Sequence, residues 1–228
     1  MPARQATHAI PYTVRRSSRA RRVRVNVHAQ AELRSVGVEV VLPERAPERA
    51  AAAAVRELRP WIERRVDEAQ DVIRVLAARA GTVPYLGLPL RLVPQAGRTR
   101  VHRAGERLLV PARDARPAIE RFYRRAARAE VRPRLDAATA ITGRPYRDLQ
   151  VRSQRSRWAS CSPEGRMSFN WRLLLAPERV LDYVIWHEVC HLEVLDHSPR
   201  FWALLQRRWP GYREDREWLR RYGATLVL

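Results

Sequence analysis

The sequence contains no lysine, so all 44 basic residues are arginine. Against 24 acidic residues they leave a formal charge of +20. Cysteine is nearly absent as well: Cys161 and Cys190 are the only two in 228 residues. Two thiols cannot form the disulfide framework of a small secreted domain, and reduced thiols in a cytoplasmic compartment are expected. No apolar run approaches the roughly 20 residues that a spanning helix needs, so no membrane partner is expected. The basic N-terminus has no apolar segment behind it, which argues against a secretory signal. A field of this sign attracts phosphates, nucleic acid or acidic peptides. The arginines are nevertheless spread along the whole chain, as on a solvated basic surface.

The length suits one large domain with its own core. Residues 1–11 read as a loose tail, and 12–228 as a single domain. Its 12–113 part is strand-rich with one helical segment, and its 115–228 part is mostly helical with one hairpin, so the fold class is α+β. "RVRVNVHAQ" and "LRSVGVEVVLP" are strands joined by a turn at "HAQAE". Pro47 opens a helix that Pro60 breaks or kinks, and helix continues to about residue 80. Residues 85–94, 98–105 and 106–112 read as strands, and a long helix from about Pro117 ends at Gly143. "SRWASC" and "RMSFNWRLLL" form a hairpin around "SPEG"; alternation gives the second strand one apolar and one polar face.

The stretch "WHEVCHLEVLDHSPRFW", Trp186 to Trp202, carries the chemistry. On a helix His191 lies roughly 40° from His187, so both imidazoles share one face one turn apart. That spacing lets two neutral nitrogens hold one ion. Glu188 lies roughly 100° round, clear of the pair yet within reach of an attacking water, the place for a general base. Val180, Tyr183 and Val184 share the histidine face while Ile185, Val189 and Leu192 lie opposite, so the helix is buried. Burying these polar groups is costly unless an ion satisfies them. A continuous helix would point His197 away from the pair, so the helix must stop. The chain turns at about 195–198, with Ser198 as N-cap and Pro199 at N1 of the next helix.

A closed structural zinc site is the next reading, and it needs a fourth protein ligand. Cys190 points away from the ligand face and reads as a small buried residue. Cys161, at the end of the hairpin, is the cysteine that could approach the site. His8, His28 and His102 read as ordinary histidines. Trp158, Trp171, Trp186, Phe201 and Trp202 read as core more readily than as pocket walls. Tyr212 and Tyr222 are oxyanion-donor candidates that the sequence cannot place. "WPGYREDREWLRRYG" closes the chain as a helix after a Pro210-Gly211 turn.

Residues 150–215 resemble the YgjP-like metallopeptidase family, a branch of the SprT/WLM-like zincins. The resemblance rests on Arg157 to Cys161, Asn170, Tyr183-Val184, His187 to His191, and His197-Ser198 with Phe201-Trp202. Ala159 stands where the family usually has glycine. The resemblance implies a zincin-like fold in which an edge strand flanks the active-site helix. It implies one zinc ion on His187, His191 and His197, with Glu188 as base. It makes Arg157, Trp158, Ser160 and Asn170 the substrate-binding candidates, and the hairpin a place for an extended peptide to pair.

The leading expectation is thus a zinc-dependent peptidase acting on a peptide or protein. A nucleotide phosphohydrolase of pyrophosphatase type is the alternative, because Arg152, Arg155, Arg157 and Arg172 suit phosphate oxygens. A nucleic-acid-binding protein with a structural metal is a third; its best feature is "VRRSSRARRVRV", although no aromatics interleave with it.

Overall fold

The computed structural model describes residues 10–30, 35–154 and 157–228. The expected tail lies outside the described residues except for Ile10 and Pro11, as do Ala31 and Glu32 of the "HAQAE" turn, and Arg155. Among the described residues the chain is α+β, with six helices and three small mixed sheets, in two compact units, Met1–Ala78 and Arg79–Leu228. No described helix is long and apolar enough to cross a membrane.

The first unit holds β1 (Thr13–Ser17), β2 (Arg24–Gln30) and β3 (Ser35–Pro43), followed by α1 (Arg49–Glu57) and α2 (Arg59–Ala77). The sheet order is β1-β3-β2, with β1 parallel and β2 antiparallel to the central strand. Val38, Val40 and Leu42 alternate along β3 into a core shared with Val55 of α1 and Ile62 of α2. The two helices part at Leu58, and Pro60 sits in the first turn of α2, where its missing N–H costs nothing. β1 was not foreseen, because its partner strand is distant in sequence. It pairs through part of the basic stretch itself. Arg15 Nε donates to Glu39 Oε1 at 2.8 Å, and Arg16 Nη1 donates to the carbonyls of Glu44 and Ala46 at 2.8 and 2.9 Å.

The second unit starts with β4 (Thr82–Tyr85), β5 (Leu88–Gln95), β6 (His102–Ala104) and β7 (Arg107–Pro111), ordered β4-β5-β7-β6. The expected single strand over 85–94 is instead part of a hairpin. Leu86 (φ 52°) and Gly87 (φ 89°) both adopt positive φ and reverse the chain in two residues. The turn is anchored by the Leu86 N–H, which donates to the Leu174 carbonyl at 2.7 Å. A Cβ at Gly87 would lie 3.4 Å from Pro177 Cα, so glycine also lets the tip approach the start of the site helix.

The long helix α3 spans Ala115–Thr142 and closes on Gly143 (φ 65°), as expected. Then come β8 (Asp148–Arg152), β9 (Ala159–Cys161) and β10 (Arg166–Asn170), ordered β8-β10-β9. The β9–β10 hairpin turns through Gly165 (φ 75°) as read from "SPEG". The second strand, however, stops at Asn170 and becomes a 3-10 turn over Trp171–Leu175. Nor does it keep a polar face: Met167, Ser168, Phe169 and Asn170 are all buried. The reason is tertiary. β8 pairs parallel along β10, and the Asn170 amide is enclosed, with Nδ2 donating to the Gln154 carbonyl at 2.8 Å and Oδ1 accepting from the Arg172 N–H at 3.1 Å. The chain ends with α4 (Glu178–Cys190), α5 (Pro199–Arg208) and α6 (Tyr212–Tyr222). Arg134 of α3 ties down the start of α4 through Glu178 and Asp182.

Candidate metal centre

α4 was expected to run to about residue 195 and stops at Cys190, one turn sooner. The N–H groups of His191, Leu192 and Glu193 bond to carbonyls three residues back, each at 3.1 Å, so the helix tightens as it ends. The break that His197 required is therefore present. The Asp196 carboxylate accepts from the Ser198 N–H at 3.1 Å and shapes the turn. Ser198 does occupy the N-cap position of α5, but its side chain makes no capping bond.

The turn brings the three histidines together. Ring centroids are 4.9 Å apart for His187–His191, 5.0 Å for His187–His197 and 4.7 Å for His191–His197. One nitrogen from each lies within 4.8 Å of the others. His187 Nε2 and His197 Nε2 face each other at 3.0 Å. Two imidazole nitrogens on one tetrahedral zinc sit roughly 3.3 Å apart, given bonds of about 2.0–2.1 Å. His191 Nδ1 lies 2.9 Å from the Val194 carbonyl, which fixes a proton there and leaves Nε2 as the free donor. Phe201, fully buried, contacts all three imidazoles at centroid distances of 4.9, 4.4 and 4.8 Å and sets their orientation.

The electrostatics fit a cation. Burial, then the neighbouring His191 and His197, lowers the His187 pKa to about 3, so this ring is neutral and ready to ligate at neutral pH. Burial pushes the Glu188 carboxyl up to about 8, opposed by the Cys161 backbone N–H and the charge of Arg157. Glu188 Oε2 is buried without a hydrogen-bond partner, a cost that a nearby divalent ion would offset. Three converging imidazoles beside a buried carboxyl group suit zinc by their chemistry. Cys161 is outside the histidine cluster, and its Sγ lies 3.4 Å from the Ser162 carbonyl.

A cavity of about 180 Å³ opens on His187 and Glu188 and is walled by Trp158, Ala159, Tyr183, Val184 and Leu219. Of the substrate-binding candidates, only Trp158 touches it. Ser160 is half-buried in β9, opposite Ser168. Arg157 and Asn170, with Trp158 again, line a neighbouring cavity of about 420 Å³, where Arg172 joins them. Arg152 donates its Nε to Gln150 at 3.0 Å instead.

Tyr183 and Leu219 had been given no part in the site. Tyr183 is one turn before His187, so the helical period already placed it on that face; burial keeps its phenol protonated, with a pKa near 12. Leu219 comes from α6 and left no local signal. Of the two tyrosines considered as oxyanion donors, Tyr212 stacks on Trp202 at 5.6 Å and Tyr222 packs on Trp218 at 5.5 Å; neither lines the 180 Å³ cavity.

A family model described as the YgjP-like metallopeptidase domain matches residues 21–222, most of the chain and both units. Among solved structures, the metallopeptidase zymogen of Pyrococcus abyssi abylysin is similar at 26% identity, over 40% of this chain and 93% of its own, with a TM-score of 0.35. No curated protein matches the chain.

Proposed function

The chain belongs to the YgjP-like metallopeptidase family, and from that premise we propose that it is a zinc peptidase whose centre is His187, His191 and His197 with Glu188 as general base. The observation that carries the reading is the convergence of three imidazole nitrogens within 4.8 Å beside a buried carboxylate. A bound divalent ion would supply Lewis-acid polarisation of the scissile carbonyl and acidify the attacking water.

The protein's own residues do the rest. His191 is held by the Val194 carbonyl and His197 by the Asp196 turn, so the donor set is preorganised. With its carboxyl held ionised by the charge of a divalent ion on the three neighbouring histidines, Glu188 takes the proton of the attacking water and delivers it to the leaving amine. Tyr183, neutral in the same cavity, offers a hydrogen-bond donor beside the reacting carbonyl. β9 is the edge of its sheet and packs against α4. An extended substrate adding to that edge would pass Glu188, with main-chain hydrogen bonds giving register.

Loading the purified chain with zinc and screening peptides tests the reading. Metal-dependent cleavage is expected, lost on chelation and in Glu188→Gln while that variant keeps its zinc. A nucleotide panel run in parallel is expected to release no phosphate or pyrophosphate. Full peptide cleavage by Glu188→Gln would overturn the assignment.

A further inference from the structure

The 420 Å³ cavity beside the centre is not used by this chemistry. Trp158 walls both cavities, so whatever fills the second one sits next to the first. Arg157 and Arg172 line the second cavity, and no carboxylate lines it. Neither guanidinium forms an ion pair with an acid among the described residues, whereas several arginines of α2 and α3 pair with acids, as in Arg59–Glu63 and Arg124–Glu120. Arg172 is held in place by stacking on Trp171, 4.7 Å from the ring centroid. Gln154, in the same wall, has a buried Oε1 with no hydrogen-bond partner. The far wall is the C-terminal turn, fixed where Arg79 donates to the Thr225 carbonyl. There Gly223 lies against Trp158, so close that a Cβ would fall 3.0 Å from Cζ2.

We propose that this cavity is a specificity subsite for an acidic side chain of a peptide substrate, read by Arg157 and Arg172. The proposal rests on the peptidase reading and adds the substrate class to it. Two guanidiniums that form no ion pair with an acid among the described residues can together hold a carboxylate through charge-assisted hydrogen bonds. The position is right for a substrate laid along β9. Side chains two apart in an extended peptide point to the same side about 6.6 Å apart, a spacing that would carry a residue near the scissile bond past Trp158, the wall common to both cavities. Trp158 between the two cavities supplies an apolar wall for the methylene stem of the side chain. The general positive charge of the protein draws acidic peptides in, and the cavity selects where the acid sits.

The test uses the full zinc-loaded chain and matched peptides that differ only by Glu or Gln at each position flanking the cleaved bond. At one position the wild type should prefer Glu by about tenfold or more in kcat/KM. Arg157→Gln and Arg172→Gln should each cut that preference at least threefold, and the double variant should remove it, with zinc content unchanged. Arg157 is exposed, so its replacement leaves the core intact. A preference below about twofold at every position overturns the subsite. Binding of the same pairs to zinc-loaded Glu188→Gln, read by fluorescence anisotropy, separates the two ideas. Arginine-dependent preference for Glu without any wild-type cleavage keeps the subsite and defeats the peptidase. Competition by inorganic phosphate with no Glu-over-Gln difference assigns the cavity to phosphate and overturns the proposal.

Discussion

The sheets β1-β3-β2 and β8-β10-β9 share one topology: each central strand has a parallel neighbour on one side and an antiparallel one on the other. They differ in what they bury. Among the described residues of the first unit, every buried side chain is apolar. The second unit buries Thr139, Ser168, Asn170, Glu188, His191, Asp215 and Thr225. A buried polar group is costly unless it is satisfied. Thr139 and Thr225 are satisfied by carbonyls of their own helical turns, and Asn170 by the distant Gln154 carbonyl and the Arg172 N–H of the turn it caps. Ser168 Oγ and Glu188 Oε2 are not. Shared strand order therefore says nothing about chemistry, and an unsatisfied buried acid beside three imidazoles says a great deal.

The sharpest way to break this contrast is Glu188→Gln. Removing a general base costs about 10²–10⁴ in rate, so kcat/KM on any cleaved peptide should fall by that much at full zinc occupancy. Next are two large-to-small changes, one in each core. Phe201→Ala should cost about 3–5 kcal/mol of stability and Ile62→Ala about 2–5. Only Phe201→Ala should also weaken zinc binding, because Phe201 packs on all three histidines. Denaturant unfolding paired with a zinc competition titration reads both quantities; equal zinc affinities would dissolve the contrast.

A smaller pair compares like residues. Asn170→Ala should cost about 1–3 kcal/mol because it leaves the Gln154 carbonyl and the Arg172 N–H without partners. Asn26→Ala on β2, whose amide bonds to the half-buried Glu39 at the surface of the sheet, should stay within about 0.5 kcal/mol in the same denaturant experiment. The smallest expected effect is that of Asp196→Ala. Losing the turn contact is worth about 1 kcal/mol, so zinc affinity should fall roughly fivefold although no ligand is changed. Calorimetry of zinc binding that shows no difference would mean the turn is held by other contacts.

Helix periods carried much of what could be read in advance. The His187–His191 spacing, the position of Glu188, the stop before His197, the Gly143 cap and the "SPEG" turn all depend on residues within a few positions of one another. The misreadings share a different cause. Residues 85–94 look like one apolar run, but only the docking of Leu86 and Gly87 against Leu174 and Pro177 shows where it folds back. β10 alternates like a half-exposed strand because its polar residues are polar; that Ser168 and Asn170 are buried depends on β8.

By itself, then, the sequence determined the three candidate histidines, their spacing and the need for a helix break, because local geometry on a 3.6-residue helix follows from the order of residues. Tertiary structure alone decided that the break closes into a triangle of imidazoles under Phe201. It also decided that Trp158 walls two cavities and that Arg157 and Arg172 both line the second. Those are contacts between residues far apart in the chain, and their geometry is set by packing, which no short-range pattern encodes.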